Sequence, residues 1–411
     1  MTPTPATPPL PDMRQPAALL AHVASVLDFY DPRAVDPSGG YFHFLMDDGT
    51  VHDHRRRHLV SSTRHVYLWA MAARHFPQRR AHYLGRARHA LGFLREAHRQ
   101  PDGHYLWELD WADARATPLD ATRHAYGLAF VLLAHAHAAL AGIDEARAGL
   151  AETLALIDRC FWQPAHGLCA DEATPAGVLG PYRGQNANMH MVEACLAAHE
   201  ASGEAVYLDR AATVAEAVVQ RLAAQTGGWI WEHYDANWRV DADYNRGDAS
   251  NIFRPWGYQP GHFVEWAHLL LTLEQRAPQP WHLPRACALF DAALAHGWDA
   301  QHGGMVYGFG PGGVVCFPDK YHWVQCETLA AAVMLGARTG DTRYWQVYDR
   351  LWAYCWQHWV DHEHGAWFRV LAPDNVRHTD EKSPAGKVDY HTTGACYRAL
   401  AALQAVRAVR A

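Results

Sequence analysis

DGHYLWEL, residues 102–109, lies between two stretches of different character. Before it runs RAHYLGRARHALGFLREAHR (80–99), with apolar residues at helical spacing and charge over the rest of its surface; after it runs TRHAYGLAFVLLAHAHAAL (122–140), helical in period and apolar almost all round. The first pattern suits a helix with one face in water, the second a helix covered on both sides. The glycine followed by alternating, aromatic-rich residues suits a turn that enters a short strand. Outer helix, turn-strand and inner helix make one unit, and a lone unit cannot bury the apolar surface of its inner helix.

The unit recurs. Comparable segments are GGYFHFL from Gly39, HGLCADE around Gly167, GGWIWEH from Gly227, HGGMVYGF around Gly303 and HGAWFRV around Gly365, at intervals of 64, 64, 60, 76 and 62 residues. Helical spacing precedes each segment, over about 13–29, 79–98, 144–160, 204–224, 282–297 and 341–359. It also follows each one, over about 62–75, 122–140, 187–202, 261–276, 324–339 and 391–408. Twelve helices in six such units predict an all-α fold, an (α/α)6 barrel with short strands in its connecting loops. An open solenoid is the second reading, but solenoids repeat at roughly 34–47 residues. The 76-residue interval places an insertion between Tyr234 and Pro260, a polar loop with Asp241, Asp243, Asn245, Arg246 and Asp248 that is expected over the same mouth as the helix starts.

Composition narrows the partners. The chain has 411 residues, 49% of them hydrophobic, with a net charge of −7 and no Lys/Arg block that would follow a phosphate backbone, so nucleic acid is excluded as the expected partner. No apolar run reaches the roughly 20 residues that span a bilayer, so no membrane partner is expected. The opening MTPTPATPPLPDM reads as a disordered tail over 1–12 ahead of a single catalytic domain at 13–411. Eight cysteines without CxxC pairs read as reduced thiols of a cytoplasmic protein. The sequence commits to no oligomeric state.

Each inner helix carries a polar, chemically able residue near its start: Arg64, Tyr126 (with His124), His190, His262, Glu327 and His391. One such residue is ordinary solvation or capping; six facing one end of a barrel describe a site. In PGHFVEWAHLL (260–270), i to i+3 spacing puts Glu265 where it is expected to hold one nitrogen of His262 and fix its tautomer, while the positive helix end disfavours imidazolium. His190 has Glu193 at the same spacing, and His391 has Asp389 as an expected N-cap. Three histidines and several carboxylates raise a metal site as a competitor, but there is no HExxH, and the HxxE pairs match only half of the paired-Glu pattern of di-iron bundles; no metal is expected. DHEHG at 361–365 reads as a turn. Glycoside hydrolysis by paired carboxylates (Glu327, Asp248, Asp243, Asp110) is another reading, yet helix starts rich in His and Arg suit proton shuttling at a carbonyl better. A binding repeat without chemistry would not need this concentration of histidines.

At YRGQNANMHMVEA (182–194), FRPWGYQPGHFVEWAHLL (253–270), HWVQCE (322–327) and the DYH that opens the last helix (389–391), the chain resembles the N-acylglucosamine 2-epimerase superfamily, on the side of its aldose–ketose isomerases. The resemblance runs from about residue 39 to 400. It implies an (α/α)6 barrel that acts on unphosphorylated monosaccharides without a cofactor, through a cis-enediol and histidine acid/base groups. By the same resemblance His391 would shuttle the proton between C2 and C1, and His262 would serve ring opening or act as the opposing acid/base. Arg64 would polarise sugar oxygens, and Tyr126, Asn186, His190, Trp323 and Glu327 would line the pocket, with Glu265 supporting His262. RHLVSSTR (57–64) has Val60 where the sulfosugar-active members carry an aromatic residue, and Tyr390 precedes His391 where the N-acylglucosamine epimerases have Phe. Neutral hexoses are therefore the expected substrates, with D-mannose/D-fructose isomerisation first and D-lyxose/D-xylulose beside it. A 2-epimerase is the alternative, and a glycoside hydrolase the more distant one.

Overall fold

A computed structural model describes residues 7–248, 251 and 253–410, with side chains to residue 408. Twelve α-helices stand among the described residues: α1 Pro16–Tyr30, α2 Leu59–His75, α3 Arg80–Phe93, α4 Ala125–Leu140, α5 Arg147–Cys160, α6 Gln185–Ser202, α7 Ala205–Glu216, α8 Pro260–Glu274, α9 His282–Gly297, α10 His322–Thr339, α11 Thr342–His358 and α12 Tyr390–Arg410. The even-numbered helices contact one another in sequence, α2 with α4, α4 with α6, α6 with α8, α8 with α10 and α10 with α12, and α12 returns to α2. This closed ring is the inner wall of an (α/α)6 barrel, as the sixfold repeat predicts. Each odd-numbered helix packs outside the even helix that precedes it, and α1 completes the outer ring against α12.

Burial follows the sequence pattern. Every residue of α2 from Leu59 to Ala73 is buried, whereas α3 buries only Tyr83, Ala87, Ala90, Leu91 and Phe93. Burying a Leu, Phe or Val side chain is worth roughly 1.5–3 kcal/mol, so the inner ring carries most of the apolar driving force. The outer helices α3 and α7 continue past their α-helical ends as wider π turns over Leu94–His98 and Ala217–Leu222, which accounts for the longer helices expected there.

The Gly-aromatic segments are shorter in strand than the sequence suggests, because most of each one is a turn that folds back on the preceding outer helix. Arg99 bridges Tyr105, Trp298 bridges Met305 and Val360 bridges Trp367 in this way. At Gly304 φ is +79° and an added Cβ would lie 2.4 Å from the Tyr354 ring, so only glycine fits both the conformation and the contact. The strand that follows pairs antiparallel with the strand leading into an inner helix of the preceding unit: Arg56 with Asp110, His124 with Glu172, Arg183 with Tyr234, and Lys320 with Leu371, with a single Tyr258–Phe309 bridge in the fourth position. The last link pairs Leu45 with Ser383, which ties the first unit to the sixth. Six strand links thus surround the end of the barrel where the inner helices begin.

Residues 1–6 of the expected tail lie outside the described residues; residues 7–12 have no regular structure, and Trp356 donates its indole N–H to Pro8 O at 2.7 Å. The inserted loop lies against the rim between the third and fourth units. Arg254 donates to Glu172 at 2.7 Å and stacks 4.0 Å from the Tyr182 ring, while Trp231 and Trp256 donate to the carbonyls of Asp241 and Ala242. No helix is long and apolar enough to cross a membrane among the described residues.

Candidate active site

All six helix-start residues converge, but not in one turn. Tyr126, His262 and His391 are the second or third residues of α4, α8 and α12, whereas Arg64, His190 and Glu327 are the sixth residues of α2, α6 and α10. Alternate helices therefore supply groups one turn apart. His190, His262, Glu265, Glu327, His391 and Arg64 are each 7% exposed or less, so the chemistry is enclosed by the ring.

His391 is held from α10. Its Nδ1–H donates to Glu327 Oε1 at 2.6 Å, which leaves the Nε2 lone pair facing the site, 3.4 Å from the Arg64 Nη2 donor. Burial, aided by the Arg64 charge and opposed by the Glu327 hydrogen bond, takes His391 down to about 4, so the ring is a neutral base at neutral pH. Burial alone would raise the Glu327 carboxyl; the hydrogen bonds from His268 and His391, with the Arg398 charge, hold it well below the usual carboxylate range. Arg64 is fixed by the Gly386 carbonyl and lies between the rings of Phe130 and Tyr390, 4.6 and 4.8 Å from their centroids. Its Nη2 is 3.5 Å from the Tyr126 hydroxyl. Asp389, ahead of α12, is taken up by side chains: Tyr30 and Thr392 donate hydroxyls and Lys387 its ammonium, each at 2.7 Å.

His262 has a different partner from the one its spacing suggests. Its Nδ1 lies 2.9 Å from Glu232 Oε2, and Glu265 is not its support. Helical side chains lean toward the N-terminus, so a histidine on the third residue looks out of its own helix toward the preceding strand segment, where GGWIWEH presents Glu232. Gln185, the first residue of α6, donates to the same carboxylate oxygen at 2.8 Å, and Trp266 donates to Gln185 Oε1 at 2.7 Å, fixing which end of that amide faces Glu232. The Trp323 ring neighbours both bases, 5.1 Å from the His262 ring and 5.9 Å from the His391 ring.

Glu265 instead faces a third histidine. His190 Nδ1 donates to Glu193 at 3.1 Å and is 3.8 Å from Glu265 Oε1, and its ring meets Tyr126 edge to face at 5.1 Å. Burial and the repulsion of Glu327 and Glu193 push the Glu265 carboxyl well above its ordinary range, which favours the protonated acid. Burial likewise lowers His190. Asn186 is half-buried, and its Oδ1 has no protein partner among the described residues. The ligand-type atoms of His190, Glu193 and Glu265, and of Glu265, Glu327 and His391, lie within 4.8 Å of one another. The positive charge a metal would supply there is already supplied by Arg398, 2.8 Å from Glu193 and 4.0 Å from Glu327, and by Arg64 beside His391. Either set has the donor types of a metal site, and the two arginines supply positive charge to the same groups.

Glu232, Gln185, Trp266 and Arg398 are the residues that sequence spacing did not find. Arg398 alone had a visible signal, seven residues after His391 on the same face of α12.

Inward-facing histidines and carboxylates, with Arg64 and Arg398 among them, at the helix-start end of an (α/α)6 barrel make a site suited to proton transfer on a small polar molecule. The family model for N-acylglucosamine 2-epimerase matches residues 40–395, and the chain belongs to that family. It is 46% identical over 387 residues to a D-mannose isomerase of Marinomonas mediterranea, covering 94% of this chain and 97% of that protein. A D-mannose isomerase of Thermobifida fusca is 40% identical over 70% of this chain and 71% of its own length. A solved structure of a D-mannose isomerase superposes with a TM-score of 0.93 at 45% identity, covering 96% of this chain and all of the other.

Proposed function

We propose that residues 13–411 act as one catalytic unit, a sugar isomerase that interconverts D-mannose and D-fructose through a cis-enediol. Similarity to the D-mannose isomerases over almost the whole chain supports the reaction. The observation that carries the mechanism is a pair of histidines that share Trp323 as a ring neighbour, each with a buried carboxylate at Nδ1, and with Arg64 beside one of them.

The C2 proton of an open-chain aldose is weakly acidic, so its removal needs a base in reach and donors at the oxygen that becomes enolic. His391 Nε2 takes the proton from C2. The C2–H electron pair becomes the C1=C2 bond, and the carbonyl pair moves to O1, where Arg64 stabilises the charge until the C2 hydroxyl proton passes from O2 to O1. The O2 pair left behind then forms C2=O2, and the C1=C2 pair takes the proton back from His391 at C1. His262 acts in ring opening, with Glu232 stabilising the imidazolium. Tyr126, Asn186, His190 and Trp323 line the sugar pocket, and D-lyxose with D-xylulose are the shorter pair it accepts.

The substrate is read as unphosphorylated because arginines near the rim are already paired, Arg56 with Glu108 and Arg254 with Glu172, each at 2.7 Å. Chemistry without a metal is supported by Arg398 and Arg64 filling the role of the cation. The eight cysteines are free, which supports a reducing, cytoplasmic setting. A second reading, 2-epimerisation, is favoured by a second buried histidine, His262, that neighbours the same Trp323 ring as His391; over the opposite face of C2 it would return the proton there. The test is turnover of D-mannose by folded His391→Ala and His262→Ala variants: loss in both supports the proposal, and full activity of His391→Ala sinks it.

A further inference from the structure

Glu327 stands between two claimants. On one side is the base, His391, whose Nδ1–H it accepts at Oε1; on the other is Arg398, whose Nη1 is 4.0 Å from Oε2 and has no hydrogen-bond partner among the described residues. A carboxylate free to swing toward that guanidinium would form a direct ion pair and leave His391 without its orienting acceptor. What prevents the swing is a third group. His268 on α8 donates Nε2–H to Glu327 Oε2 at 2.6 Å. The His268 ring is fully buried, and its Nδ1 has no partner, so its one N–H has a single acceptor to serve. Burial and the Arg398 charge also hold His268 below its ordinary range, so it stays a neutral donor.

We infer that His268 is a positioning residue for the proton transfer: it holds Glu327 on His391 and off Arg398, and thereby keeps the Nε2 lone pair of His391 directed at the sugar. It does not line the pocket, so it acts through Glu327 alone. The inference rests on the proposed role of His391 as the shuttling base.

The test compares His268→Leu, which removes the donor, with His268→Gln, whose terminal amide lies at the level of Nε2 and keeps it. For folded protein with D-mannose, the expected result is a kcat lower by roughly tenfold or more in His268→Leu, the loss carried by one hydrogen bond to a charged group. KM stays within about twofold, as for an interaction that matters only in the transition state, and His268→Gln recovers most of kcat. If His268→Leu does not fold, His268→Asn replaces it: its amide is one carbon too short to reach Glu327, so it is expected to lose kcat where Gln keeps it. Wild-type kcat in folded His268→Leu, or equal losses of kcat in the Gln and Asn variants, would overturn the inference. A His391→Asn control separates the two levels: if it retains full activity, the shuttling role itself fails, whereas an inactive control beside an unimpaired His268→Leu overturns only the part assigned to His268.

Discussion

Replacing Glu327 by glutamine removes one charge and almost no volume. The carboxylate accepts two hydrogen bonds of 2.6 Å, one from His391 Nδ1–H and one from His268 Nε2–H. A glutamine has one carbonyl oxygen and one amide that can only donate, so one of the two histidines must lose its acceptor. A hydrogen bond to a charged group contributes about 1.5–3 kcal/mol, and each ~1.4 kcal/mol is tenfold in rate, so kcat/KM for D-mannose should fall roughly 10- to 150-fold. The loss should appear in kcat with KM nearly unchanged, because a misdirected base weakens the transition state more than the bound sugar. The pH profile gives a second reading of the same change. Burial lowers His391 and the Glu327 hydrogen bond opposes that, so without the charge His391 falls further below about 4 and the acid limb of kcat/KM moves to lower pH. Steady-state kinetics from pH 4 to 9 on the folded variant would measure the loss of rate and would reveal an acid limb that had moved upward into that range instead. A kcat/KM within twofold of wild type, or an acid limb moved upward, would refute the reasoning.

Three further outcomes follow from the geometry. Glu232→Gln leaves His262 with a neutral partner at Nδ1; kcat should fall about tenfold or more, as for one charge-assisted hydrogen bond, and unchanged kinetics would remove Glu232 from the site. Gly261→Ala would place a Cβ 2.4 Å from the Trp323 ring, which neighbours both bases and must move; KM should rise and kcat fall, with a shifted tryptophan fluorescence, and an unaltered enzyme would mean that the ring yields without consequence. Stability should also depend on acid. His65 and His98 are buried and His58 and His137 half-buried, and the loss of solvation depresses His58, His65 and His137 to about 3 and His98 to about 4. With folded values below the unfolded value near 6.5, the unfolded chain binds more protons, so stability is full above about pH 6.5 and is lost as pH falls, by up to ~1.4 kcal/mol per unit for each ring. Calorimetry should show Tm dropping steeply between pH 6.5 and 5, and a flat Tm across that range would contradict these neutral rings.

The architecture was legible because it rests on periodicities that tertiary contacts reinforce. All twelve helical stretches appear, and α2 with α3 shows how an all-round apolar pattern separates an inner helix from an outer one. The strands were less so, since most of a segment such as HGAWFRV is turn and bridge, with ladder pairing only at Val370–Leu371. At the site, the helix-start residues could be named from position alone, and they do converge. Their partners could not. Local spacing assigns Glu265 to His262, but the lean of helical side chains sends His262 to Glu232, thirty residues earlier in the chain, and leaves Glu265 to the His190–Glu193 pair. His268 looks like an ordinary inner-helix residue in sequence, and Arg398 shows only its shared face with His391; the closure of the ring brings α8, α10 and α12 together around Glu327.

The most direct measurement is one NMR tube holding the protein dialysed against a chelator, D-mannose and heavy water. A base that serves C2 and C1 from one face gives D-fructose as the first product without added metal, with solvent deuterium entering C1 to the extent that the His391 proton exchanges. Glucose labelled at C2 as the first product would contradict isomerisation and assign the two histidines to opposite faces of one carbon, and an unchanged mannose spectrum that recovers only on adding a divalent metal would overturn the metal-free mechanism.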